Sequence, residues 1–252
     1  MLKDLPCGLV LLYHRLGSPA HDPWNLFLEP DLFGAQMRLL AEHWPVVSLS
    51  QGLRRLAERQ PGHWVAVTFD DAYRDVSEIA LPRLRPGQIL TVFACTHEPE
   101  REFWWDRLDD PALQPGLRAS PDPHWEAPNR GLAPRLQPQE IAELARFHEV
   151  GSHGHRHLSL PTLEPDRLAE ELQDSRQLLQ HWTGQTVAGL AYPFGDHSHS
   201  VRALAGGYYD WACGVQPGLV WKGSPRLALP RYWAPRLEGR AFYAWLCQQG
   251  LS

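Results

Sequence analysis

The chain has 252 residues, 43% hydrophobic and 21% charged, which suits one large α/β domain whose core needs no disulfide or metal staple. Its formal net charge of −5 excludes the basic surface that nucleic acid or anionic lipid would require. Cys7, Cys95, Cys213 and Cys247 are scattered, form no C-x-x-C pair and read as reduced core residues.

The first apolar run, Gly8 to Tyr13, contains the first predicted strand (9–13) and is too short for a signal-peptide core. No run approaches the roughly 18 apolar residues of a membrane helix, so a cytoplasmic protein without an integral membrane segment is expected. Helices follow over 31–43 and 49–59, then strands over 64–69 and 90–95. The proline-dense stretch 111–138 lacks apolar periodicity and reads as an irregular excursion within an insertion over 98–138, capping a cleft. A helix over 137–147, a strand over 150–152, a helix over 164–182 and strands over 189–192 and 211–215 complete the pattern. In the 164–182 helix, Leu168, Leu172, Leu178 and Leu179 recur near helical spacing. Strands alternating with helices imply a parallel sheet or barrel with its site at the strands' carboxyl ends.

Three of those ends carry polar chemistry. The strand Val65-Ala66-Val67-Thr68-Phe69 finishes in Asp70-Asp71, two carboxylates that repel unless a cation or proton intervenes. The bland alternative is a pair of helix N-cap residues, with 73–84 helical. After the 150–152 strand comes His153-Gly154-His155-Arg156-His157. Histidines four apart share one side of a helical turn and can clamp one ion, which leaves His155 pointing elsewhere. Two imidazoles plus one carboxylate form a usual ligand set for a catalytic metal with open positions, although a surface histidine cluster shows the same spacing. The third end, Tyr192-Pro193-Phe194-Gly195, is a proline-fixed turn whose backbone N–H groups can serve an oxyanion.

Eleven tryptophans, among them Trp105, Trp211, Trp221, Trp233 and Trp245, fit the aromatic platforms on which sugar rings pack, and equally fit core packing.

Taken in order, these segments resemble the polysaccharide deacetylases, carbohydrate esterase family 4. The motif T-F-D-D-G is matched by Thr68-Phe69-Asp70-Asp71-Ala72, H-[ST]-x-x-H by His153 to His157, and P-[YF]-G by Pro193-Phe194-Gly195. Tyr13-His14-Arg15, Phe33-x-x-Gln36-Met37 and Leu81-Pro82 resemble the subgroup that includes poly-N-acetylglucosamine deacetylases. The resemblance implies one catalytic domain over 1–252, a distorted (β/α) barrel, often seven-stranded, acting on an N-acetylated carbohydrate. It makes Asp71, His153 and His157 ligands of a divalent metal, zinc by default with cobalt or nickel as alternatives. It also makes Asp70 the general base and the Phe194 N–H an oxyanion donor. His14 is the proton-donor candidate, and Tyr192, Pro193, Trp105, Trp211 and Arg231 are expected to line the substrate site.

The chain departs from the family pattern at four places. Ala72 replaces the motif glycine. Ala191 stands where many members have an arginine that orients the base, a task Arg231 could take over. Asp210-Trp211 matches the fourth motif only loosely. Leu227-Ala228-Leu229-Pro230-Arg231 lacks the late histidine of L-x-L-H. Relatives of the fold that open other amides or O-acetyl esters, or that only bind glycans, are the alternative functions.

Overall fold

The computed structural model describes residues 5–19, 22, 24–101, 103, 105 and 134–251. Most of the expected 98–138 insertion, including Trp104 and Trp125, lies outside these residues.

Seven strands form one parallel sheet: β1 (Gly8–Tyr13), β4 (Trp64–Phe69), β5 (Leu90–Ala94), β6 (Glu149–Ser152), β7 (Gly189–Ala191), β8 (Trp211–Cys213) and β9 (Tyr232–Trp233). They run side by side in the order β8-β7-β6-β5-β4-β1-β9, and every pair is parallel. A parallel bridge from Cys213 to Leu229 brings the segment leading into β9 back beside β8, which curls the sheet into a distorted (β/α) barrel. Two short strands, β2 (Arg15–Leu16) and β3 (Phe27–Leu28), pair separately. The helices are α1 (Pro30–His43), α2 (Leu49–Ala57), α3 (Pro138–Ala145), α4 (Pro165–Thr183), α5 (His199–Ala205) and α6 (Gly239–Gln249). Six strands and four helices fall within a few residues of the expected ranges. The two-residue strands β2, β3 and β9 and the helices α5 and α6 are additions, and 76–83 holds a π turn followed by a 3-10 turn in place of a regular helix.

Strand alternation places the core and the site together. On β4, Val65, Val67 and Phe69 face the larger apolar cluster under the helices, while Trp64 and Ala66 belong to the cluster inside the barrel. Continuing that interior row gives Thr68 and then Asp70. On β1, Val10 is likewise interior, with Leu9, Leu11 and Tyr13 in the outer cluster, so His14 falls on the interior row just past the strand. Trp64 and Trp211 fill the interior cluster. Their indole rings occupy the space a Cβ would need at Gly8 and Gly189, 2.1 Å away in each case, so these strands approach closely only with glycine there.

Candidate active site

β4 ends in Asp70 and Asp71, both buried. Asp71 departs from the strand with φ 70 and Ala72 with φ 51, two successive residues in the left-handed region that non-glycine residues seldom adopt. The turn aims Asp71 toward β6, where His153 and His157 leave the sheet. This second segment is not the helical turn the four-residue spacing predicts. Gly154 at φ 77 and His157 at φ 56 break any helix, and the imidazoles converge from an irregular loop. Buried Glu171 on α4 organises that loop by accepting the backbone N–H groups of His155 (3.0 Å) and Arg156 (2.8 Å) and the Arg156 guanidinium (2.8 Å). His155 turns away, with Nδ1 2.8 Å from the Thr96 hydroxyl.

Asp71 Oδ1 lies 3.4 Å from His157 Nε2 and 3.6 Å from His153 Nε2, and the ligating atoms of the three residues all fall within 4.8 Å of one another. These separations exceed ordinary N–H···O hydrogen bonds of about 2.7–3.2 Å. They match the roughly 3.3 Å edges of a tetrahedron whose metal–ligand bonds are about 2.0–2.1 Å. Burial lowers the pKa of His153, despite the nearby Asp70 charge, and pushes that of His157 well below its usual value. Neutral imidazoles are the form that ligates a cation. His153 Nδ1 sits 2.9 Å from the Ala191 carbonyl, an arrangement that puts the proton on Nδ1 and leaves Nε2 facing Asp71. The residues present therefore fit a divalent metal.

The family profile of the polysaccharide deacetylases matches residues 57–208, well over half of the chain and including both segments just described. The chain belongs to the polysaccharide deacetylase family. No curated protein matches it significantly. Among solved structures it is similar to the Streptococcus pyogenes deacetylase PplD, determined in complex with acetate, at 21% identity and TM-score 0.76, covering 96% of this chain and 97% of that one. IcaB from Ammonifex degensii follows at 18% identity, TM-score 0.72 and 98% and 97% coverage. A de-N-acetylase from Aggregatibacter actinomycetemcomitans shares 15% identity at TM-score 0.70, with 94% and 98% covered. These likenesses establish the shared deacetylase fold.

The departures from the family pattern now acquire physical reasons. Arg231, fully buried, donates Nη1 and Nη2 to the two oxygens of Asp70 at 2.7 and 2.8 Å and Nε to the Gly214 carbonyl at 2.8 Å. It reaches Asp70 from the barrel-closing segment, the role Ala191 cannot play. Burial alone would raise the Asp70 carboxyl, yet the Arg231 charge and hydrogen bonds, with His153 nearby, hold it well below the usual carboxylate range. Arg231 is thus committed to Asp70, which corrects its expected place on the substrate-lining surface. Ala72 carries the positive φ for which glycine is suited, so here an alanine bears that strain.

His14 follows β1, and the Asp70 N–H bonds the Tyr13 carbonyl at 3.0 Å, which makes His14 and Asp70 neighbours in register. Its ring stacks on Trp233 at 4.8 Å and 14°. Burial, with Arg231 and His153 adding to it against the Asp70 charge, lowers its pKa from 6.5 to about 4, so the imidazole is neutral at pH 7.

Phe194, at φ 59, sets its ring 4.6 Å from that of His157, and among the described residues its backbone N–H has no hydrogen-bond acceptor. Trp105 stacks on Phe103 (4.3 Å, 10°) and lies 4.6 Å from the His157 ring, so it stands beside the Asp71/His153/His157 cluster. Pro193 is buried, its ring packed toward Gly154. Two expected substrate contacts are corrected. Trp211 is 2% exposed, edge-on to Phe93, and donates its indole N–H to Ser50 at 2.9 Å, so it is interior packing at the opposite end of its strand. Tyr192 is wholly buried and its hydroxyl donates to the Leu227 carbonyl at 2.9 Å.

Sequence reasoning missed Glu171 and Arg135. Glu171 stood out as a carboxylate among the apolar positions Leu168, Leu172 and Leu179. Arg135, buried, donates to the carbonyls of His97, Glu98 and Arg101 and lies over the Phe103 ring, fixing the aromatic wall. Its place in the proline-dense stretch gave no signal.

Proposed function

We propose that this protein removes N-acetyl groups from an amino-sugar glycan by metal-assisted hydrolysis, with Asp71, His153 and His157 holding the ion and zinc as that ion. The observation that carries the reading is a buried three-ligand cluster next to a carboxylate kept ionised by Arg231. A divalent ion held there supplies Lewis acidity toward an acyl oxygen and acidifies water. Asp70 accepts a proton from the attacking water, and the two-point contact with Arg231 leaves its carboxylate in one orientation. The Phe194 N–H, held in a left-handed turn, donates to the oxyanion that develops on the acyl carbon. Phe103, Trp105 and Phe194 exclude water from the side of His157. His14, beside Asp70, delivers a proton to the departing sugar amine. Being neutral at rest, His14 receives the proton that Asp70 took from the water, so that one proton passes from the nucleophile to the amine and Asp70 is ionised again.

The test is acetate release from N-acetylglucosamine oligomers by the metal-loaded protein. Release that disappears in Asp70→Asn supports the reading. No release from a sample with bound metal confirmed by elemental analysis would overturn it.

A further inference from the structure

Besides the two apolar clusters already described, the described residues hold a third and smaller one, formed by Tyr73, Cys95, Phe103 and Trp105. It borders all three candidate ligands. Tyr73 stands two residues after Asp71. The Cys95 thiol donates to the His153 carbonyl at 3.0 Å. The rings of Phe103 and Trp105 lie 5.4 and 4.6 Å from the His157 ring. Inside this cluster Trp105 donates its indole N–H to the Tyr73 hydroxyl at 3.0 Å.

Tyr73 is fully buried and held on several sides. Its ring faces the Arg15 guanidinium at 4.3 Å, with Arg15 paired to Asp75 at 3.1 Å, and meets Phe103 edge-on at 5.9 Å. Its backbone bridges that of Arg135, flanked by hydrogen bonds from the Leu136 N–H to the Ala72 carbonyl (2.8 Å) and from the Arg74 N–H to the Pro134 carbonyl (2.9 Å). These contacts begin directly after Asp71 and Ala72, whose positive φ costs energy and persists only where the surroundings over-determine it. Tyr73 is the first residue past that turn, so its position decides where the Asp71 carboxylate points.

Ring packing alone does not set a register, because hydrophobic burial is non-directional. A buried hydrogen bond is directional, and a side chain that slips in the cluster loses it. The bond between Tyr73 and Trp105 therefore selects one arrangement, in which Tyr73 holds the Asp71 turn and Trp105 backs the His157 ring.

We propose that the Tyr73 hydroxyl is a positioning group for the metal site: through Trp105 it holds Asp71 and His157 at ligating separation. The proposal rests on the metal reading above and on no particular acyl substrate.

Zinc affinity, measured by chelator competition at a temperature where every variant is fully folded, tests it. Tyr73→Phe removes only the hydroxyl, and Trp105→Phe keeps an aromatic ring without the N–H. Each should bind zinc about tenfold less tightly or worse. Both remove the same bond, so the double variant should stay within about threefold of the weaker single one, where independent effects would multiply to about a hundredfold. Tyr13→Phe removes another buried hydroxyl, bonded to Gln36 at 2.7 Å in the outer cluster. It should lose stability and keep zinc affinity within about threefold. Cobalt(II)-loaded Tyr73→Phe should show shifted visible absorption bands, a signature of altered ligand geometry that lower stability alone does not produce.

Parent-like zinc affinity in Tyr73→Phe, multiplicative losses in the double variant, or an unchanged cobalt spectrum would overturn the proposal. Trp105→Phe and its cobalt spectrum decide the matter if Tyr73→Phe fails to fold. Tight zinc binding that needs this bond, with no acetate released by the unaltered protein, would remove the deacetylase reading and leave the positioning role standing. An unaltered protein that binds no zinc would remove the metal reading and this role with it.

Discussion

Arg231 and Asp70 make a two-point ion pair inside the barrel, with N···O distances of 2.7 and 2.8 Å across 161 residues of sequence. The pair ties the segment that closes the barrel to the strand that carries the proposed base, so one contact serves both fold and chemistry. Neither partner touches bulk solvent to any extent.

Replacing Arg231 by Met leaves Asp70 buried without its counter-charge. A loss of about 3–5 kcal/mol in urea unfolding is expected, because breaking a buried pair on one side strands the other charge. The folded Asp70 carboxyl is depressed below its unfolded value. It therefore stabilises the protein above the unfolded pKa of about 3.9, and that contribution is lost as pH falls through the folded value. Arg231→Met should bring acid unfolding to a higher pH, and unchanged acid unfolding would argue against the pairing. Arg231→Lys, which keeps the charge without the fork, should recover stability in part and activity poorly.

His14 makes the opposite linkage. Its pKa falls from 6.5 to about 4 on folding, so between those values the unfolded chain binds the extra proton and stability declines as pH drops from 6.5 toward 4. His14→Ala should flatten that decline while lowering turnover, by roughly a hundredfold or more for the loss of a proton donor. Metal content should stay at the wild-type level. Urea midpoints across pH 4–7 and elemental analysis read these effects separately, and loss of metal in His14→Ala would make it a ligand.

Much of this arrangement is written locally, and what is not has a physical cause. Short apolar runs set between helical patterns gave away six strands, and adjacent acids or histidines at their ends marked the candidate site because those side chains are close in sequence. Arg231 is different: it sits after a proline in a stretch with no periodicity, so the sequence could name it only as a candidate to hold Asp70, and barrel closure supplies the contact. Trp211 and Tyr192 misled because an aromatic side chain looks the same in sequence whether it packs a core or lines a cleft. The two histidines four apart do converge, but not through a helical turn: positive φ at Gly154 and His157 brings their rings together by another path.

Metal binding should depend on both histidines. His153→Ala or His157→Ala leaves two ligands, and each variant should lose stoichiometric zinc in elemental analysis after dialysis. The ion should also stabilise the fold by RT ln(1 + [M]/Kd), about 4 kcal/mol at a thousandfold excess over Kd. Thermal melts with and without a chelator measure this, and equal melting temperatures for the two would sink the assignment. Because burial keeps both imidazole pKa values low, proton competition should leave metal affinity nearly flat from pH 8 to 6.5.

Glu171 offers the sharpest separation of folding from metal binding. Its buried carboxylate holds the ligand-bearing loop through three hydrogen bonds but touches none of the ligands' imidazoles. In Glu171→Gln the charge is lost, and an amide replaces one oxygen that faces N–H donors. Hydrogen bonds to a charged acceptor are worth about 1.5–3 kcal/mol, so a loss of this order is expected in urea unfolding. If the loop's geometry also sets the spacing of His153 and His157, zinc affinity should drop by about tenfold or more, as for other supporting contacts around metal ligands. Competition against a chelator of known affinity measures it at a temperature where the variant is fully folded. Arg156→Ala, which removes the half-exposed partner and keeps both backbone contacts, should change affinity much less. A Glu171→Gln protein that is less stable but binds zinc like the parent would show that the carboxylate packs the loop without aiming it.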